Sequence, residues 1–134
     1  MTDFNTQIIE DFRAHGGYVG APFNSDKLVL LHHVGAKSGV ARVSPLMSFP
    51  DEEGWVIVAS KGGAPENPGW YYNLLANPDT EIEFGTETIP VRASVIPADE
   101  RAPLWADITA KNAGFASYER RTERVIPLVR LTRR

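Results

Sequence analysis

The sequence predicts an α+β fold that is mainly β: a small barrel closed on itself, with a few helices packed outside. Short apolar runs with strand character recur along the chain, turn residues separate them, and helical spacing is confined to a few segments. Five to seven strands with hairpin connections favour a closed sheet, because closure removes exposed strand edges. At 134 residues, the chain is expected to form one domain spanning residues 1–134.

The first half of the chain predicts one helix and three strands. Apolar residues recur at helical spacing from Phe4 to Phe12, which predicts a helix over residues 1–15. Acidic residues beside its apolar stripe favour packing on the domain over lying on a membrane surface. Strands are predicted over residues 27–34, 40–49 and 55–59, with a glycine-flanked turn at 35–39 and a hairpin loop at 51–54.

The second half predicts two helices, a hairpin and a last strand. Residues 61–69 are too rich in glycine and proline for regular structure, and a short helix follows over residues 70–76. Alternating glutamates and apolar residues around Gly85 predict a hairpin with one wet face. Asp99 is predicted to be the N-cap of a helix over residues 100–112, and residues 125–131 form the predicted last strand.

The composition excludes several classes of function. The chain has no cysteine, which excludes disulfide scaffolds and thiolate metal sites. Its formal net charge of −3 argues against nucleic acid as the main partner, because binding to a phosphate backbone requires a net basic surface. No apolar run approaches the ~20 residues of a membrane span. We therefore expect a soluble, cytoplasmic protein with no integral membrane segment.

The segment from Gly35 to Arg42 concentrates groups that bind anions. Lys37 and Ser38 lie in the turn between two predicted strands, with glycines on either side, and Arg42 lies near the start of the second strand. Glycines let backbone N–H groups turn toward a phosphate, lysine supplies a point charge, and arginine offers two parallel hydrogen bonds. An exposed turn with ordinary solvated charges is the alternative that spacing alone leaves open.

Two further segments are candidates for binding a flat ligand. Ser60 and Lys61 lie where a predicted strand ends and a glycine-rich loop begins, a common place for backbone donors that face a ligand. The segment 70–73 then brings three aromatic rings and an amide together, which suits a heterocycle with one polar edge. Aromatic residues at this density are also typical of a hydrophobic core, and that alternative stays open.

Catalytic groups of the protein's own are sparse in the sequence. His32 and His33 are neighbours in a predicted strand, so their side chains point to opposite faces and cannot share a metal ion. No serine occupies a Gly-x-Ser-x-Gly elbow. This pattern is typical of proteins that provide a pocket for a cofactor.

Three ordered motifs give the chain a family resemblance. They are Gly35-Ala36-Lys37-Ser38-Gly39-x-x-Arg42-x-x-Pro45-Leu46, Val58-Ala59-Ser60-Lys61-Gly62-Gly63, and Pro68-x-Trp70-Tyr71-x-Asn73-Leu74-x-x-Asn77-Pro78. From about residue 5 to residue 132, the chain resembles the deazaflavin-dependent nitroreductase family, small reductases that use coenzyme F420. The resemblance implies a split β-barrel fold, related to that of flavin reductases and pyridoxamine phosphate oxidases.

The resemblance also implies roles for the motif residues. Lys37, Ser38 and Arg42 would hold the phosphate and oligoglutamate tail of F420. The stretch from residue 42 to residue 47 would lie along the cofactor, residues 58–61 would offer backbone N–H groups to the ring, and residues on the following helix would close the other side. The remaining residues of this implied site are Val43, Ser44, Pro45, Leu46, Met47, Val58, Ala59, Ser60, Lys61, Trp70, Tyr71 and Asn73.

The implied reaction is transfer of a hydride from C5 of reduced F420 to a small electron-poor acceptor, such as a quinone, a nitroaromatic or an activated enone. Tyr118 is the candidate proton donor, with Ser60 second. Where family members active on bulky nitroimidazoles tend to carry several tyrosines, this chain has Asn112, Phe115 and Tyr118, which leaves the acceptor open. An FMN-dependent oxidoreductase and a non-catalytic F420 carrier are the alternatives, and a homodimer is possible.

Overall fold

A closed antiparallel barrel with four flanking helices accounts for the regular structure in the computed structural model, which describes residues 4–16, 28–51, 54–59, 67–111, 113–120, 122 and 125–134. The barrel order is β1-β2-β3-β6-β5-β4. The strands are β1 (Leu28–Val34), β2 (Ala41–Asp51), β3 (Gly54–Val58), β4 (Asp79–Phe84), β5 (Glu87–Val95) and β6 (Leu128–Arg133). The helices are α1 (Phe4–Ala14), α2 (Gly69–Ala76), α3 (Ala98–Lys111) and α4 (Ala113–Arg120). The predicted mainly-β barrel is confirmed.

The barrel closes through pairings that the hairpin pattern alone does not specify. Strand β1 pairs with β2 from Leu28↔Met47 to Val34↔Ala41, and with β4 at Leu31↔Ile82. Strand β3 pairs with the last strand, β6, between residues that are 70 to 78 positions apart in the sequence. The two ends of the chain's sheet are thereby joined, and no described strand is left with a long open edge.

Alternation along the strands divides the apolar residues into an interior and an exterior set. Val29 and Leu31 of β1 belong to the interior cluster, together with Ile57 and Leu131 of the closing pair. Leu28 and Leu30 point outward, where Ile8 and Phe12 of α1 cover them. A third cluster lies under α3 and α4. The period of two therefore decides which β1 residues meet the helix and which fill the barrel.

Several boundaries differ from the prediction. Asp99 is not the N-cap of α3, because the helix begins at Ala98 and the carbonyl of Pro97 accepts the N–H groups of Glu100 and Arg101. Asp99 instead lies in the first turn, where its charge faces the positive end of the helix dipole. Helix α4 was not predicted, and the last strand begins at Leu128 rather than at residue 125. The predicted irregular segment at 61–69 lies mostly outside the described residues.

An ion-pair network fastens α1 to the barrel. Both nitrogens of the Arg13 fork donate to the Glu83 carboxylate, at 3.0 and 2.7 Å, and His32 Nε2 lies 2.8 Å from the same carboxylate. The hydrogen bond from Arg13 is the main cause of a lowered pKa at Glu83, and His32 adds to it. Glu83 thus connects the helix to β1 and β4 at once.

We expect Glu83→Gln to destabilise the fold by about 1 kcal/mol at pH 7, since the contact is charge-assisted but Arg13 is half exposed. A carboxyl with a lowered folded pKa contributes stability that is complete above its unfolded pKa, near 4.5, and is lost as pH falls through the folded pKa. As the pH falls from 5 to 3, Glu83→Gln should therefore lose less stability than the natural protein does. Urea unfolding at each pH would measure this difference. Glu81→Gln is the matched control, because Glu81 lies on the same strand but is exposed. Equal losses of stability in the two variants would contradict the role of Glu83 in fastening α1 to the barrel.

No helix in the part of the chain that the structure describes is long and apolar enough to cross a membrane.

Candidate functional site

A cleft of about 770 Å³ opens at the end of the barrel where the β1–β2 turn meets α2. A volume of this size suits a large organic ligand. Its wall comes from the end of β1, the turn, the start of β2 and the first half of α2. The described lining residues are His33, Gly35, Ala36, Lys37, Ser38, Arg42, Ser44, Gly69, Trp70, Tyr72 and Asn73.

The β1–β2 turn has a fixed conformation. The N–H of Gly35 donates to the carbonyl of Val40, and the N–H of Gly39 donates back to the carbonyl of Gly35, both at 2.9 Å. Gly39 has a φ of 70°, in the left-handed region that glycine adopts without strain. The N–H of Val40 also donates to Ser38 Oγ at 3.2 Å. These bonds hold Lys37 at the tip of a closed turn rather than on a loose loop.

The charge of the cleft is positive. Lys37 and Arg42 both line it and are both exposed to solvent, and none of its described lining residues is acidic. Strand pairing places Arg42 opposite His33, so the arginine lies at the cleft end of β2. Two cations next to a glycine turn suit an anion with more than one charged group.

A polar network that is partly buried lies next to the cations, and sequence reasoning missed it. The N–H of Ala36 donates to Asn73 Oδ1 at 2.9 Å, Asn73 Nδ2 lies 2.9 Å from His33 Nδ1, and His33 Nε2 lies 2.9 Å from Ser44 Oγ. The His33 side chain is buried, and burial is the main cause of its lowered pKa, with Arg42 and His32 adding to it. Asn73 therefore ties the turn to α2 and contacts the histidine at the same time.

The period of two in β1 contains a signal that identifies His33. Positions 29, 31 and 33 share the inward face, and the first two carry Val and Leu. A histidine that ends an otherwise apolar inward row lies at the barrel mouth, where the cleft opens. Tyr72 was also missed as a lining residue, because all three aromatic side chains of α2 look alike in the sequence.

Six of the implied cofactor residues come together in the cleft. They are Lys37, Ser38, Arg42, Ser44, Trp70 and Asn73. Trp70 is buried in the interior cluster and also borders the cleft, so its position is fixed by the core. The anion cluster predicted from the sequence is thus contiguous with the aromatic helix in space, although about 30 residues separate them in the chain.

The other implied residues lie elsewhere. Val43 and Met47 pack against the α1 cluster, because odd positions of β2 face outward. Leu46 and Tyr71 pack against the interior cluster, Ala59 belongs to it, and Val58 belongs to the cluster under α3. Pro45 pairs with Leu30 of β1. Ser60 and Lys61 lie outside the described residues, so their predicted contacts stay predictions.

Tyr118 lies on α4, away from the described lining of the cleft. Its ring packs edge-on against Phe115 with 5.9 Å between centroids, and Phe115 packs against Phe49 at 5.7 Å. Both belong to the partly buried rim of the cluster under α3. The structure does not bring Tyr118 together with the cation pair. Asn112, named with these two residues as a departure from the family pattern, lies outside the described residues.

Fold and site together define a class. A closed six-stranded barrel whose mouth carries a cationic cleft closed by an aromatic helix is the arrangement of a split-barrel oxidoreductase that holds a large anionic cofactor. Residues 6–133 match the model of the F420H(2)-dependent quinone reductase family. The chain belongs to this family, which confirms the predicted kinship with F420-dependent reductases.

Individual relatives agree with this assignment. An F420H(2)-dependent quinone reductase of Mycobacterium tuberculosis is 46% identical over 109 residues, covering 79% of this chain and 73% of that protein. A solved structure described as an F420-H2 dependent reductase (FDR-A) superposes with a TM-score of 0.68 at 36% identity, covering 78% of this chain and 93% of the other. A domain-swapped dimer superposes with a TM-score of 0.71 at 32% identity, covering 93% of each chain.

Proposed function

We propose that this cleft binds coenzyme F420 and that the protein uses F420H2 to reduce quinones. Membership of the F420H2-dependent quinone reductase family makes the chain an F420-dependent reductase. One observation carries the assignment of the site: Lys37 and Arg42 both line the cleft, and its described lining has no acidic residue. Residues 1–134 act as one F420-binding domain in this proposal.

The residues present fit the group. F420 has a phosphate and an oligoglutamate tail, so it needs cations spread over several ångströms rather than a single phosphate site. Lys37 supplies a point charge at the tip of the turn, and Arg42 supplies a planar fork that pairs with a phosphate or carboxylate. Ser38 and Ser44 add hydroxyl groups to the lining of the cleft. A ring system would then lie toward Trp70, which is the large aromatic side chain fixed by the core.

Reduced F420, when bound, supplies a hydride from C5 to the acceptor. The protein's own contribution is to hold the cofactor and the acceptor in place and to exclude water from them. The tied turn and α2 fix the orientation of whatever lies between them, and orientation can supply a large part of a rate enhancement when reacting atoms are brought to about 3–3.5 Å. Hydrogen-bond donors held in place stabilise negative charge that arrives on the acceptor. Ser60 and the backbone N–H groups of residues 60–61 are proposed to face the ring's polar edge. The N–H of Ala59, expected there as well, donates instead to the carbonyl of Pro127 at 3.0 Å.

Quinones are the acceptor class that the family assignment supports. Nitroaromatics and activated enones are proposed as further acceptors, because they also take a hydride at an electron-poor centre. The family assignment does not favour an FMN enzyme or a non-catalytic F420 carrier. The spread of cations also speaks against FMN, because FMN offers one phosphate whereas F420 has a phosphate and a charged tail.

Titration of the purified protein with F420, followed by a panel of acceptors, tests the proposal. We expect saturable quenching of F420 fluorescence, and oxidation of F420H2 when menadione is added. A yellow protein that releases flavin on denaturation would indicate the FMN alternative. Tight binding without turnover on any acceptor would indicate a carrier, and no quenching at tens of micromolar F420 would overturn the site.

Tyr118 is proposed as the proton donor to the reduced acceptor, with Ser60 second. We expect Tyr118→Phe to lower kcat with menadione by about tenfold or more, as loss of a general acid typically does, and to leave F420 affinity unchanged. Steady-state kinetics and fluorescence titration would measure the two effects. Because Tyr118 packs beside Phe115, Phe115→Leu is the control for packing. An unchanged kcat in Tyr118→Phe would assign the proton to Ser60 or to solvent.

Two properties stay predictions. A homodimer is supported by the resemblance to a domain-swapped dimer, and the exposed apolar side chains of Tyr72 and Leu75 on α2 are available to an interface. Light scattering at two protein concentrations would test it. The cytoplasmic location predicted from the sequence is the second.

A further inference from the structure

The hydrogen bonds beneath the cleft have only one consistent direction. A backbone N–H can only donate, so the contact with Ala36 fixes the oxygen of the Asn73 amide on that side. The Asn73 nitrogen must then face His33 Nδ1, and it too can only donate. His33 Nδ1 is therefore the acceptor, and a neutral imidazole that accepts at Nδ1 carries its proton on Nε2.

This tautomer determines what Ser44 can do. His33 Nε2–H donates to Ser44 Oγ, so the serine hydroxyl accepts on that side and must direct its own proton elsewhere. Among the described residues, the contact with His33 is the one hydrogen bond that this hydroxyl makes, and Ser44 lines the cleft. The hydroxyl proton is thus free for an acceptor that enters the cleft.

We propose that His33 is a positioning residue of the cofactor site: Asn73 holds it in the Nε2–H tautomer, and it in turn presents the Ser44 hydroxyl as a donor to an oxygen of the bound anion. The inference rests on the proposed function, because it takes F420 as the anion. The relay also joins the turn to α2, since the Asn73 amide contacts both. Both ring nitrogens of His33 already contact protein groups, Asn73 and Ser44, so His33 acts on the anion through Ser44.

The relay predicts a pH dependence opposite to that of simple electrostatics. An imidazolium next to an anion would strengthen binding, but it carries a second N–H, at Nδ1, which faces the donor Nδ2 of Asn73. The asparagine would have to turn away, releasing the N–H of Ala36 and loosening the turn. Protonation of His33 should therefore weaken anion binding. Arg42 of β2, His32 of β1, Lys37 of the turn and Tyr72 of α2 are the charged and titratable groups around this site.

The tautomer can be measured in the natural protein without F420. Nitrogen-15 NMR of the imidazole groups in the free protein at pH 7.5 distinguishes the two tautomers, and a His33→Gln sample assigns the signal. We expect His33 to be neutral with its proton on Nε2. A proton on Nδ1, or a charged ring at this pH, would overturn the relay even in a protein that binds F420 tightly.

Binding measurements test the consequence. Ser44→Ala and His33→Leu should each weaken F420 binding about tenfold, as loss of one hydrogen bond to a charged group does, and the double variant should be no weaker than either. Fully additive losses would overturn the coupling. Circular dichroism of each variant shows whether it folds, and the NMR measurement decides the tautomer if one does not.

The pH profile separates positioning from a structural role. Between pH 7.5 and 5, the F420 affinity of the natural protein should fall more steeply than that of His33→Gln, which can donate to Ser44 but cannot take up a proton. Using the same ligand in both proteins cancels the titration of F420 itself. Parallel profiles would overturn the proposal. If neither protein binds F420, the proposed function fails, while the tautomer measurement still tests the relay.

Discussion

Replacing both cleft cations, in Lys37→Ala/Arg42→Ala, is expected to weaken F420 binding by about tenfold or more. Both side chains are exposed, so each contact contributes less than a buried ion pair, about 0.5 to 1 kcal/mol, and together they approach the 1.4 kcal/mol that corresponds to a factor of ten. The loss should lie in affinity rather than in kcat at saturating cofactor. Neither side chain belongs to a core cluster, so stability should change little.

Salt and a charge-matched variant make this test specific. Raising the salt concentration should weaken binding to the natural protein and reduce its advantage over the double variant, because exposed charges are screened within about 8–10 Å. The control Arg92→Ala/Arg120→Ala removes two exposed arginines that do not line the cleft. Its net charge equals that of the Lys37→Ala/Arg42→Ala variant. If this control loses as much affinity, overall charge rather than the cleft attracts the cofactor.

How much of this site the sequence predicts depends on how far apart in the chain the residues that form it lie. The cluster at Lys37, Ser38 and Arg42 is local in sequence, and the turn that presents it is closed by bonds between near neighbours, so it could be recognised directly. The placement of Asn73 against that turn could not, because it depends on how α2 packs across the barrel mouth. His33 shows the same limit: alternation indicates its face, but only the fold brings Asn73 and Ser44 to its two nitrogens.

The family resemblance predicted the fold better than it predicted which residues line the cleft. Consecutive residues 42–47 were expected along one ligand, yet a strand sends alternate side chains to opposite faces. Ser44 therefore reaches the cleft, whereas Val43 and Met47 contact α1. Helix α4 escaped prediction because it is only eight residues long and begins at Ala113, two positions after α3 ends at Lys111. The strands were predicted well because their apolar runs are short and separated by turn residues.

The pairing that closes the barrel is also the most vulnerable to a single methyl group. Gly54 begins β3, pairs with Thr132 of β6, and has a φ of 154°, a conformation that L residues rarely adopt. A Cβ placed there would collide with the backbone carbonyl of Leu131. Backbone cannot move aside as a flexible side chain can, so the neighbouring strand would have to shift and the β3–β6 pairing would weaken.

We expect Gly54→Ala to lower the free energy of unfolding by about 3 kcal/mol, because backbone strain of this kind costs about 1–3 kcal/mol and the collision with Leu131 adds to it. Gly85→Ala is the matched control, since Gly85 also has a positive φ, 61°, but nothing lies within 4 Å of its added Cβ; it should cost only about 1 kcal/mol. Urea unfolding followed by tryptophan fluorescence measures both. Because Gly54 does not line the cleft, the folded fraction of the variant should bind F420 normally. Equal losses in the two variants would mean that β6 can move without cost, and that the β3–β6 pairing does not hold the barrel closed.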